Sequence, residues 1–360
     1  MEQGVLQLLP DAHIIKHPVS DGGEGLVSVV TPALGGCIVT TNVSGPLPGQ
    51  RVDARWGLSS NGSFAIIEMA EAAGLTLVPA DRRDPKITTT YGVGELICAA
   101  LDAGVSSILI GIGGSATNDG GAGMAEALGV RFFDKAGNPL ARGGAALVDI
   151  ASINLDKRDP RLKHVEVLVA CDVQNTLCGT HGASAMYGPQ KGAKLSDVAL
   201  LDRALLRYGE TIRSATRINV LDLAGGGAAG GLGVGLVAFC EASLKRGIDL
   251  VLQVTGFDDH LQGADLVLTG EGRIDQQVRF GKALAGIIEQ AERRTVPVVA
   301  VVGSIEGGRE LFLGDGFLSD LESIVDAQTS VADAMTNAKS LLVEKTKLLI
   351  QRYLSRKYIP

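Results

Sequence analysis

The sequence predicts an α/β protein of two domains, and three observations carry that reading. The chain has 360 residues, beyond the roughly 100 to 200 that one domain ordinarily occupies. Apolar residues make up 46% of it, enough for more than one core. Short runs rich in Val, Ile and Leu alternate with glycine-bearing loops and helix-period segments, the pattern of parallel strands joined by helices. A disordered chain and a disulfide-stapled miniprotein are excluded.

Taken in order, residues 25–34 read as a helix. Residues 37–43, 50–56 and 63–67 are short strands separated by Gly, Pro and Asn turns, an antiparallel meander that opens a second domain near residue 37. Val93, Leu96, Ile97, Ala100 and Leu101 recur at helical spacing, and Gly104 stops that helix. Residues 108–110 form a strand broken by Gly111, Gly113 and Gly114, and residues 122–128 form the next helix, closed by Gly129. Residues 165–171 read as an apolar strand with Asp172 just past its end. Residues 265–269 run into Gly270-Glu-Gly-Arg273, and residues 297–302 make a further strand. Strands this continuously apolar belong to parallel sheets covered on both faces. From Asp326 onward the chain reads as helix, with Ser330 and Asp333 at capping-box spacing and Val331, Ala334, Met335, Ala338, Leu341, Leu342, Leu348 and Leu349 on one face.

Composition narrows the function. A formal charge of −7 and only 4% aromatic residues, with Trp56 the single tryptophan, argue against a nucleic-acid surface, which needs cations and stacking rings. The N-terminus lacks the basic flank and apolar stretch of a signal peptide. The uncharged apolar stretch 224–240 is short and glycine-rich for a membrane span. Cys37, Cys98, Cys171, Cys178 and Cys240 form no C-x-x-C pair, and their odd number speaks against a disulfide framework. A soluble, cytoplasmic protein is expected. His13, His17, His164, His181 and His260 give no metal spacing, and His181 near Cys178 is too little for a site. A hard cation on carboxylates remains open.

The 48 glycines are nearly twice the usual share of about 7%, and they gather where strands end. Ligands of open α/β sheets bind beyond the carboxyl ends of the strands. Five clusters stand out: residues 21–25, 113–121, 171–172 with 188–192, 225–235, and 270–275 with Gly281-Lys282. Glycine lets main-chain N–H groups approach an oxyanion closely, and a helix N-terminus adds a positive dipole, so phosphate or carboxylate recognition uses such loops. A phosphate-binding G-x-x-x-x-G-K-[ST] motif is absent. Gly225 to Gly230 satisfies G-x-G-x-x-G formally, but Asp249 precedes the apolar run 250–254 instead of ending a strand, so close helix packing through Gly and Ala is the better reading there.

The motifs Pro18-Val-Ser-Asp-Gly-Gly-Glu-Gly25, Thr90-Tyr-Gly-Val-Gly-Glu95, Gly111-Ile-Gly-Gly-Ser-Ala-Thr-Asn-Asp-Gly-Gly-Ala-Gly123, Ala170-Cys-Asp-Val173, Tyr187-Gly-Pro-Gln-Lys-Gly192, Ala228-Ala-Gly-Gly-Leu-Gly233 and Leu268-Thr-Gly-Glu-Gly-Arg-Ile-Asp275 occur in one order along nearly the whole chain. In them the sequence closely resembles the bacterial glycerate kinase family of the glycerate 2-kinase type. That resemblance implies ATP-dependent phosphorylation of D-glycerate to 2-phosphoglycerate with Mg²⁺. It also implies two α/β domains, one Rossmann-like (or flavodoxin-like) and discontinuous, over residues 1–36 plus 261–360. The other, over residues 37–260, is an inserted mixed sheet with the β-meander and the glycine-rich loops. Members of the family open with a strand and a loop resembling Asp-Ser-Phe-Lys-Gly-Ser-Leu-Ser, which this chain lacks ahead of Pro10-Asp11-Ala12. A truncated, inactive or impaired remnant is therefore the alternative expectation, and a nicotinamide-dependent oxidoreductase, resting on Gly225 to Gly230 alone, a third.

Phosphoryl transfer asks the protein for positioning and charge neutralisation. Under the resemblance, Asp172 holds Mg²⁺ or accepts the glycerate hydroxyl proton, Lys191 and Lys282 neutralise phosphate charge, and Arg273 grips the glycerate carboxylate as a bidentate fork. Gly113, Gly114, Ser115, Thr117, Asn118 and Asp119 supply donors to the substrate, joined by Asp21, Glu24, Glu271 and Asp275. Gly226, Gly227, Gly230 and Gly231 are the expected cofactor-binding residues. The expected partners are glycerate and a nucleotide, with no nucleic acid and no membrane, and the reading leaves room for a homodimer.

Overall fold

The computed structural model describes residues 1–275, 283–314 and 317–357. Contacts divide the chain into two units, Ser20–Val251 and Met1–Val19 with Leu252–Pro360. The sequence-based boundaries at 36/37 and 260/261 thus differ from those in the structure. The helix Leu26–Ala33 explains the first difference. It buries Leu26, Val27 and Val30 and packs on the second and third strands of the meander.

In the Ser20–Val251 unit the meander is β1 (Cys37–Ser44), β2 (Arg51–Leu58) and β3 (Phe64–Glu68), with Val39 opposite Trp56 and Trp56 opposite Ile67 in antiparallel register. The next strand, β4 (Ser107–Gly111), lies parallel to β3. A small antiparallel ribbon of β5 (Arg131–Phe133) and β6 (Ser152–Asn154) follows. The main sheet is completed by β7 (Glu166–Ala170) and β8 (Ser243–Lys245), in the order β1-β2-β3-β4-β7-β8. Because the last four strands are parallel, Glu68, Gly111, Ala170 and Lys245 stand in one row of the register. Four strands therefore end at a single edge, where an open α/β sheet places its ligands.

The strands hold because their central residues are almost wholly apolar. Ile66, Ile108, Leu109, Ile110 and Val169 have no exposed surface. The predicted helix over 93–101 is Tyr91–Asp102, and it turns Val93, Leu96, Ile97 and Ala100 into the same core. A second core forms where the 22-residue helix Leu195–Thr216 packs Leu205, Tyr208 and Ile212 with Phe132 and Phe239.

In the other unit, β9 (Val267–Thr269), β11 (Val298–Val302) and β13 (Asp320–Ser323) form a parallel sheet in the order β13-β11-β9. Two-residue strands β10 (Arg273–Ile274) and β12 (Ser304–Ile305) pair beside each other. The final helix is Val331–Lys357, starting later than the sequence suggests because Asp326 closes a turn through the N–H groups of Gln328 and Thr329. Ser330 caps the helix, its hydroxyl accepting from the Asp333 N–H at 3.2 Å. Among the described residues no helix is long and apolar enough to cross a membrane. All five cysteines are free thiols.

Asp320, 1% exposed, ties this last helix to its sheet. Arg352 approaches it through Nε at 2.7 Å and Nη2 at 3.0 Å, and Arg309 and Arg356 add further ion pairs. Burial raises the Asp320 carboxyl, but hydrogen bonds from Arg352 and the Leu321 N–H, with the charges of Arg352 and Arg309, outweigh it and hold the group below the usual carboxylate range. As acid is added the unfolded chain takes up this proton first. The contribution to stability is therefore complete above the ordinary Asp pKa of about 4 and is lost as pH falls through the lower folded value. Asp320→Asn is expected to cost about 1–3 kcal/mol at pH 7 and to flatten the acid end of the stability curve, as read from urea midpoints between pH 3 and 7.

Candidate active site

At the row formed by Glu68, Gly111, Ala170 and Lys245, three loops and one crossing segment meet. The crossing segment is 20–25. Gly22, at φ 88°, passes so close to β7 that a Cβ there would stand 2.4 Å from the Ala170 Cβ. Glu68, buried at the end of β3, accepts hydrogen bonds from the N–H groups of Gly25 at 3.0 Å and Val27 at 2.6 Å. It thereby satisfies donors at the start of the helix Leu26–Ala33 and fixes the loop that precedes it. Burial pushes the Glu68 carboxyl up, against the effect of those two bonds. Asp21 and Glu24 are left exposed, with Glu24 lying against Gly114.

The loop after β4 has an open part and a buried part. Gly113 and Gly114 are exposed, whereas Ser115, Thr117, Asn118 and Asp119 are buried. Asp119 has no exposed surface. It accepts from the Thr90 N–H at 2.8 Å, the Thr90 hydroxyl at 2.9 Å, the Gly121 N–H at 3.1 Å and the Gly123 N–H at 3.3 Å. Burial raises its carboxyl, and these four donors oppose the shift. Asn118 donates to Ser184 Oγ at 3.0 Å. Asp119 and Asn118 are thus turned into the protein, holding the loop and the start of the helix Ala122–Ala127, while Gly113 and Gly114 are the exposed part of the loop.

Lys191 departs furthest from expectation. The turn Gly188-Pro-Gln-Lys-Gly192 is expected to bring a cation to phosphate, and its Lys191 is 1% exposed. Its ammonium donates to Ser115 Oγ at 2.6 Å and to the Thr117 carbonyl at 2.7 Å. Burial lowers its pKa to about 7, and the negative charge of Asp119 opposes that fall. Lys191 supports the glycine-rich loop from behind and presents no charge to a ligand.

Asp172 lies two residues past the end of β7. Its Oδ1 accepts the Gly247 N–H at 2.8 Å, and the side chain is open to solvent. Crowding by protein raises the carboxyl to about 6. The Gly247 bond and the charge of Arg246 lower it, while Asp21 and Asp249 raise it. An accessible carboxylate with a proton affinity close to neutral has the character of a general base. Arg246, immediately after β8, is held by Asp249 through Nε at 2.7 Å and Nη2 at 2.9 Å. Sequence reasoning missed Arg246 and Glu68. The available signal was their position, each a charged residue at or just past the end of a strand.

Gly226, Gly227, Gly230 and Gly231 are buried. The segment Ala229 to Gly231 runs in the left-handed region inside the helix Ala228–Cys240, and a Cβ at Gly230 would lie 2.0 Å from the Thr117 carbonyl oxygen. The Gly230 carbonyl accepts the Gly120 N–H at 3.0 Å. These glycines permit close packing behind the 113–121 loop.

Glu271, Arg273 and Asp275 lie in the other unit, on the loop after β9 and at β10. Arg273 is 62% exposed and ion-paired with Glu306, and the Glu271 carbonyl accepts the Gly303 N–H at 2.9 Å. Lys282 falls outside the described residues.

The open edge of the Ser20–Val251 unit therefore brings together an exposed carboxylate, an arginine and exposed glycines, a set suited to phosphoryl transfer. The model of the glycerate kinase family matches residues 1–354. The chain is 45% identical to a glycerate kinase of Halalkalibacterium halodurans over 347 residues, 96% of this chain and 91% of that protein. It is 47% identical to the glycerate 2-kinase of Escherichia coli over 305 residues, 85% of this chain and 80% of that one. The crystal structure of a protein assigned as glycerate kinase 2 from Salmonella typhimurium superposes with a TM-score of 0.89 at 46% identity, over 99% of this chain and 93% of that chain. On its sequence, its fold and its carboxyl-edge site, the chain is a kinase that belongs to the glycerate kinase family.

Proposed function

We propose that the protein transfers the terminal phosphoryl group of ATP to the 2-hydroxyl of D-glycerate, with Asp172 as the base. The observation that carries this reading is the Asp172 carboxylate, exposed at the carboxyl edge, oriented by the Gly247 N–H at 2.8 Å and brought to a pKa of about 6. A base in that range is deprotonated at pH 7 and still takes a proton as the hydroxyl oxygen becomes nucleophilic. The names of the similar proteins support glycerate as the acceptor.

Exposed Gly113 and Gly114 N–H groups and the Ser115 hydroxyl would orient the anionic ligands, and the buried set of Lys191, Asn118 and Asp119 would keep that loop in shape. The donor set fits Mg²⁺. Asp21, exposed beside Asp172, offers a hard oxygen ligand and leaves Asp172 as the base. This suits an ion bound through one or two carboxylates and the nucleotide's own phosphates. When bound, Mg²⁺ would neutralise phosphate charge and orient the terminal phosphoryl group. Dialysis against a chelator is expected to abolish turnover, and added Mg²⁺ to restore it.

An assay coupling ADP release to D-glycerate addition tests the reading. Glycerate-dependent release is expected with Mg²⁺ and ATP, and an enzyme that releases no ADP on glycerate addition would remove it.

A further inference from the structure

We propose that Arg246 is the catalytic cation that meets the transferring phosphoryl group. The proposal deepens the kinase reading and rests on it. Lys245 pairs with Ala170 in the parallel register of β7 and β8, so Arg246 stands level with Cys171, next to Asp172. The following residue, Gly247, donates its N–H to Asp172 Oδ1 at 2.8 Å. One hydrogen bond thereby ties the base to the backbone that carries Arg246.

The guanidinium is already set in plane. Asp249, near the start of the helix Gly247–Val254, engages its Nε and Nη2 at 2.7 and 2.9 Å, and the Arg246 side chain keeps 35% of its surface open. A fork held this way loses little freedom on meeting an anion. Charge balance gives the same assignment. Asp21 and Asp249 both act on Asp172 at this edge, and Arg246 is the cation whose charge acts on Asp172. A phosphoryl group approaching three carboxylates requires positive charge. Lys191, the cation the sequence nominates, is buried and committed to Ser115 and the Thr117 carbonyl.

In the step, the glycerate 2-oxygen forms a bond to the γ-phosphorus while the bond from that phosphorus to the β,γ-bridging oxygen breaks. The hydroxyl proton passes to Asp172, and ADP leaves with the bonding electron pair. Negative charge held on the equatorial phosphoryl oxygens faces Arg246 throughout, so the interaction strengthens in the transition state.

Steady-state kinetics of Arg246→Ala and Arg246→Lys across pH 5 to 9 test this. Arg246→Ala is expected to lower kcat about 10²- to 10³-fold and to leave both KM values within about threefold. Arg246→Lys, which keeps the charge and is the variant to rely on if the alanine form misfolds, is expected to recover about tenfold of that loss. Three results overturn the proposal: full plateau kcat with only the acid limb displaced, which makes Arg246 a tuner of Asp172; a raised glycerate KM with unchanged kcat, which makes it a carboxylate grip; or full-rate turnover by either variant. A wild-type enzyme that releases no ADP with glycerate removes the kinase reading itself, whereas an active wild type with a fully active Arg246→Ala form removes this proposal alone.

Discussion

Asp172→Asn is expected to lower kcat by about 10²- to 10⁴-fold with the fold intact. The amide oxygen can still accept the Gly247 N–H that Asp172 now binds, so the loop after β7 keeps its anchor while the proton acceptor is gone. Both KM values are expected to stay near wild type, since the change removes an interaction made chiefly in the transition state. The wild-type pH profile follows from the same group. Its pKa of about 6 means that kcat/KM falls as pH drops through that value and the base becomes protonated. The residual activity of the variant is expected to lack this acid limb. Thermal stability is expected to hold or rise, because ionising a crowded carboxylate costs the folded state. A variant turning over at the wild-type rate would take Asp172 out of the chemistry.

Asp119→Ala is expected to be the most destabilising single change around the site, by about 3–5 kcal/mol, read as a lowered urea midpoint. The Thr90 N–H and hydroxyl and the N–H groups of Gly121 and Gly123 would all lose their acceptor in the buried interior. Donors left unsatisfied in the interior carry their full desolvation penalty, and Lys191 would lose the charge that sustains its protonation. Asp119→Asn keeps an acceptor oxygen and is expected to recover part of the loss. An alanine variant as stable as wild type would mean that the glycine-rich loop is held by its glycine packing alone.

Much of this edge is legible in the sequence because its strands are. Residues 108–110 and 298–302 are apolar runs with glycine at their ends, and burial on both faces dictates that pattern. The strand Ser243–Lys245 carries no such signal, as its outer residues are exposed, and residues 250–254 look equally apolar as strand or helix. They belong to the helix Gly247–Val254, whose Asp249 points back to Arg246. The placement of Lys191 is hidden from the sequence for a different reason. A lysine between proline and glycine suggests a solvated turn, and its burial depends on Ser115 and Thr117, more than seventy residues away in sequence. Local pattern reports which residues can form a loop, and only the register of the sheet reports which side of that loop faces a ligand. The glycines at 225–231 make the same point, since freedom of φ serves close packing as readily as phosphate binding.

The most direct measurement is phosphorus NMR of the product formed from D-glycerate, ATP and Mg²⁺. The account predicts a new phosphomonoester resonance split into a doublet by the single proton at C2, present with the wild-type enzyme and nearly absent with Asp172→Asn. A triplet, reporting phosphate on the C3 methylene, or a doublet formed equally fast by the Asp172→Asn protein, would contradict it.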